Sequence, residues 1–175
     1  MTMHWIGSVT ASSATTNINF DSIPQTFTHL QFRVSASSNS SADTFTIYGF
    51  NGTGGTSNSS VHTLYGNGTS AFASGATGQY NPGLTQIPAN STSINGLVIV
   101  DILDYTSVNK YKTIRSIGGY DANGSGYVAL TSVNAFGFGS STALSNVWFY
   151  CASNFAVGSR IDLYGITSNP IARGA

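Results

Sequence analysis

The chain has 175 residues, enough for one domain with a substantial core. Only 7% of them are charged, six aspartates against six lysines and arginines with no glutamate, and the formal net charge is zero; ordinary domains carry roughly a quarter charged residues. This excludes the clustered cations that bind nucleic-acid backbones. It also removes the common surface-helix formers, so helices should be few and short.

In chain order, residues 4–9 and 17–20 read as an early strand pair. Residues 27–34 alternate cleanly: Leu30, Phe32 and Val34 share one face, while His29, Gln31 and Arg33 share the other. Short extended segments follow at 45–47 and 61–65. Residues 94–103 are apolar on both faces, as in a central strand covered on both sides. Further strands are expected at 110–117, 127–133, 144–151 and 160–166. Leu30, Phe32, Val34, Val98, Val100, Ile102, Trp148 and Leu163 are the inward candidates.

Four Asn-Gly steps, at Asn51, Asn67, Asn95 and Asn123, supply residues that tolerate positive φ in tight turns. Two Gly/Ser/Thr/Asn-rich stretches, 51–60 and 66–83, read as loops, the second long enough to be functional. Eight to ten short strands with such turns predict an all-β fold, an antiparallel β-sandwich of jelly-roll-like kind. Strand order is not given by the pattern. The recurring Tyr-Gly steps at Tyr48, Tyr65 and Tyr164 are unequally spaced and define no repeat period.

Catalytic and metal patterns are weak. There is no Gly-x-Ser-x-Gly elbow. Asp101 and Asp104 have an odd spacing that would point them to opposite faces of one strand, unlike a glycosidase acid pair, and they are expected to pair with Lys110 or Lys112. His4, His29 and His62 lack metal-ligand spacing. The run from Asp121 to Gly126 begins like a calcium loop, but Ser132 stands where the bidentate acid should be. Cys151, the lone cysteine, lies in an apolar run and reads as a buried core thiol. No cofactor, metal or catalytic residue is therefore expected.

Six Asn-x-Ser/Thr sequons arise readily in so Ser/Thr/Asn-rich a chain. The start Met-Thr-Met-His-Trp lacks a basic segment followed by an apolar one, so the expectation is assembly in a cytoplasm. The longest apolar run, 97–103, is too short to span a bilayer, and no membrane partner is expected.

The stretches FDSIPQTFTHLQFRV, DILDYTSVNKYKTIRSIGGYDANGSG and GSRIDLYGI, in that order, resemble a group of small virion proteins of tailed bacteriophages, including marine and cyanobacterial phages. The resemblance runs from about Phe20 to Ile166. It implies a non-enzymatic particle component assembled in the bacterial cytoplasm. The leading expectation is a capsid decoration, or cement, protein that binds the major capsid protein as a homotrimer. The alternative is a tail-fibre or tail-tip module that binds a host-surface receptor, such as carbohydrate.

On the cement reading, residues 1–16 form an N-terminal arm, 17–166 the sandwich and 167–175 a C-terminal tail. Met3, His4, Trp5, Ile6 and Ile171 would then touch the shell. On the tail reading, Phe72 and Tyr80 would be loop aromatics for stacking against sugar.

Overall fold

The computed structural model describes residues 1–51, 53–54, 59–79, 83–121, 126–135 and 142–167. Their strands are β1 (Thr2–Thr10), β2 (Thr15–Phe20), β3 (His29–Ala36), β4 (Asp43–Phe50), β5 (Thr53–Gly54), β6 (Ser59–Gly66) and β7 (Ala71–Gln79). Then come β8 (Gly83–Ile87), β9 (Gly96–Leu103), β10 (Lys112–Asp121), β11 (Gly126–Ala135), β12 (Val147–Phe155) and β13 (Arg160–Thr167). Among the described residues the one helical element is a single 3-10 turn, Asn90–Thr92. No described helix is long and apolar enough to cross a membrane.

The strands form two antiparallel sheets packed face to face, the all-β sandwich that the alternation predicts. The larger has eight strands in the order β1-β13-β3-β9-β10-β11-β6-β7; the smaller has the order β2-β12-β4-β5, with β8 paired to β4. The chain crosses repeatedly between the sheets, interrupted by the β6–β7 hairpin and the β9–β10–β11 meander. The jelly-roll-like character lies in those crossings.

Between the sheets the core is aromatic. Phe32 of β3 meets Phe20 and Phe149 edge-on, with centroids 5.3 and 4.9 Å apart, and Phe45 of β4 stacks on Phe149 at 5.1 Å. Such geometries favour the ring quadrupoles as well as burying area. Tyr105, fully buried just after β9, donates its hydroxyl to the Pro24 carbonyl and accepts from the Phe27 amide at 3.4 Å. That ties the chain entering β3 to the chain leaving β9.

The structure differs from the sequence expectations at several places. Residues 2–10 do not hang as a free arm: β1 is hydrogen-bonded along its length to β13, with Thr2 opposite Thr167 and Thr10 opposite Arg160. Half of the stretch 66–83 is no loop, because residues 71–79 form β7, an edge strand paired to β6. Strand β9 is covered on one face only. Val98, Val100 and Ile102 are buried while Leu97 is 66% exposed. In β12 the inward residues are Val147, Phe149 and Cys151, which leaves Trp148 half-buried on the opposite face.

The Asn-Gly steps divide likewise. Asn51 adopts φ 51° and Gly68 φ 89°, as turns require, and the Asn67 carboxamide oxygen accepts from the Thr69 and Ser70 amides. At Asn95 the step makes no tight turn; Gly96 opens β9, and the left-handed residue is Ser93. The Gly of the first step and the whole of the last lie outside the described residues.

Candidate functional site

The larger sheet is wider than the smaller one. Strand β8 packs over β10 and β11, and β6 and β7 extend beyond it as a ledge with no sheet opposite among the described residues. The inward side chains of the ledge follow from strand register. Tyr65 of β6 sits opposite Phe72 of β7, and Thr63 sits opposite both Ser74 and Thr131. The rings of Phe72, Tyr65 and Tyr127 therefore line up across three strands, with successive centroids 4.9 and 5.5 Å apart and planes within 19° of parallel. Burial raises the Tyr127 phenol above its ordinary range, and the neighbouring Tyr65 and Tyr120 add to the effect, so it stays a hydrogen-bond donor.

Where this ledge meets β8 there is a cleft of about 190 Å³. Its walls are Thr63, Tyr65, Ser74 and Tyr127 on the large sheet, facing Thr85 and Gln86 on β8. The floor is set by backbone: the Leu84 carbonyl accepts from Ser116 Oγ at 3.0 Å and from Thr131 Oγ1 at 2.8 Å, which locks β8 to β10 and β11. Thr85 is 4% exposed, and its Oγ1 has no hydrogen-bond partner among the described residues. A buried hydroxyl left so is costly unless water or a ligand meets it. No charged side chain lines the cleft among the described residues.

The opposite, outward face of the large sheet divides in two. Toward β1 it carries charge held in contacts: Arg160 donates to Asp162 at 2.7 Å, Gln31 donates to Asp101 at 2.9 Å, and Arg33 lies 5.0 Å over the Tyr164 ring. Toward β7 it is largely apolar, with Leu97, Ile99, Ile117, Val128 and Leu64 all exposed, bordered by Arg33 opposite Ile99 and by Arg115 on the same face of β10 as Ile117. An open hollow of about 590 Å³ lies there, lined by Leu64, Phe72, Ile117 and Val128 among others.

The residues singled out from the sequence do not converge. Met3, His4, Trp5 and Ile6 lie on β1, one edge of the large sheet, and Phe72 lies on β7, the other edge. Trp5 is 62% exposed opposite Tyr164; Met3 Sδ accepts from Arg33 at 3.4 Å; His4 packs on Phe27 at 5.6 Å; Ile6 is half-buried against the core. Phe72 is 42% exposed, on a strand and not on a loop. Tyr80 and Ile171 lie outside the described residues.

Asp101 and Asp104 do not act together. Asp101 faces outward toward Gln31, and Asp104, at φ 49° beyond the end of β9, lies 3.5 Å from Lys110 and 3.5 Å from His29. His29 Nδ1 accepts the Asp104 amide at 2.9 Å. Cys151 is fully buried, as its apolar run predicts. Among the described residues no three His, Cys, Asp or Glu gather as metal ligands would. Most of the Asp121 to Gly126 turn lies outside the described residues.

Sequence reasoning missed Tyr65, Tyr127, Thr85 and Gln86. The alternation of Val61, Thr63 and Tyr65 was the available signal, but only the absent opposing sheet makes that face a site. Comparison with family models, with curated proteins and with solved structures finds no match to this chain.

Proposed function

We propose that this chain is a non-enzymatic structural protein of a bacteriophage virion, a decoration or cement protein that binds the major capsid protein as a homotrimer and stabilises the shell. The observation that carries the reading is the apolar half of the outward face. Five large aliphatic side chains from β6, β9, β10 and β11 lie exposed, bordered by Arg33 beside Ile99 and Arg115 beside Ile117, and they are more than the scattered single hydrophobes of an ordinary surface. Docking such a face strands few charges, whose desolvation is costly. The resemblance of three segments to phage virion proteins supplies the kind of particle, and closed rotational symmetry lets one small domain bridge several subunits.

A tail-tip module is the second reading, favoured by the exposed Phe72 on the ledge. Copy number separates the two. Quantitative mass spectrometry of purified particles should find this chain in a number comparable to the capsid lattice points, whereas a handful per particle would move it to the tail. Sedimentation of the isolated protein should give a trimer. The same preparation should hydrolyse no polysaccharide, peptide or ester.

A further inference from the structure

We infer that the cleft between β8 and the β6–β7–β11 ledge binds a neutral pyranose sugar. The inference holds on either placement in the particle, because it rests on the cleft and not on the outward face. Three features select the ligand class. The large-sheet wall combines the Thr63 and Ser74 hydroxyls with the stacked Tyr65 and Tyr127 rings and faces Thr85 and Gln86 on β8, so a ligand between them meets aromatic surface on one wall and hydrogen-bonding groups on both. A pyranose suits that combination, with hydroxyls around its rim and C–H bonds on its faces.

No charged group lines the cleft among the described residues, which disfavours phosphates, carboxylates and amines. Its volume, about 190 Å³, is below the usual range for drug-sized ligands and suits one small ring. Thr85 Oγ1 then has a reason to stand buried without a partner among the described residues: it is a hydrogen-bonding position held open by β8. In the free protein water fills that role.

Saturation-transfer NMR on the intact chain tests the inference, with glucose, galactose, mannose and N-acetylglucosamine as separate probes. At least one should receive saturation on its ring protons and titrate with a Kd of about 1 mM, ordinary for one shallow subsite. Ser74→Trp, which places a bulky ring in the cleft from an exposed edge strand, should abolish the transfer. Thr85→Val keeps the shape and removes only the hydroxyl, and should weaken binding about tenfold without lowering the melting temperature.

Three results would overturn the inference: no transfer to any of the four sugars at up to about 50 mM, transfer that Ser74→Trp leaves intact, or equal competition by triglycine. If Thr85→Val lowers the melting temperature, Gln86→Ala replaces it as the probe of the same wall. Unchanged affinity in that variant counts against the inference.

Discussion

Cys151 is held protonated by its surroundings. Burial comes first, then the carboxylate of Asp43, whose Oδ2 lies 3.5 Å from Sγ, and together they push the thiol from 9.0 up to about 12. The native protein should therefore resist iodoacetamide at pH 8 and react only on unfolding. Because the folded value is raised, the contribution to stability is whole below about pH 9 and is lost as pH rises toward about 12. Tyr105, raised by its own burial, acts in the same direction. Denaturation at stepped alkaline pH should give a falling stability, and Cys151→Val should flatten part of that slope; an unchanged slope would remove Cys151 from the account.

Lys112 and Lys110 form a second contrast at this scale. Lys112 is buried and donates to the Ser107 and Lys110 carbonyls, so Lys112→Met should cost about 1–3 kcal/mol by leaving both unmet. Lys110→Met, which breaks an exposed 3.5 Å pair with Asp104, should stay within about 0.5 kcal/mol. Phe32→Ala should cost about 3–5 kcal/mol in urea titrations, since its ring is fully buried between Phe20 and Phe149.

Among the elements, β1 makes the sharpest prediction. It covers the backbone of β13 and brings Ile6 and Val9 against the core. Deleting residues 1–8 should lower the melting temperature by several degrees, about what 1–2 kcal/mol does in a domain of this size, and expose β13 as an aggregation-prone edge. Calorimetry and light scattering check both; an unchanged melt would restore the free arm. Strands β3 and β13 were legible because burial on one side imposes alternation directly on the sequence. β7 was not, since AFASGATGQ is exposed almost throughout and no burial pattern marks it. Its extended form comes from pairing with β6 across the turn at Asn67, a cross-strand contact that the residues of β7 do not encode by their own propensity. The apolar outer residues of β9 misled for a related reason: Leu97 and Ile99 are hydrophobic but lie on an open face, and a one-dimensional pattern cannot distinguish a covered face from an unpartnered one. The cleft was illegible on the same ground, because it exists where the smaller sheet ends.

For the whole molecule, the separation of charge from apolar surface governs how it should associate. Most charged residues of the outward face lie toward β1, such as Arg160 paired with Asp162, and Arg33 and Arg115 border the apolar group of Leu97, Ile99 and Ile117. If that apolar half is what docks on a particle, binding is driven by removing hydrocarbon from water, and added salt screens little of it. Affinity for particles stripped of this protein should then change by less than about tenfold between low salt and about 1 M salt, where the screening length is only about 3 Å. Ile117→Lys and Leu97→Lys would each set a charge in the docked face. Both sites are more than half exposed, so the isolated variants should unfold within about 0.5 kcal/mol of the parent while losing particle binding. Release by moderate salt would instead assign the interface to the charged half, and Arg33→Ala and Arg160→Ala would then be the variants that lose binding while Ile117→Lys keeps it.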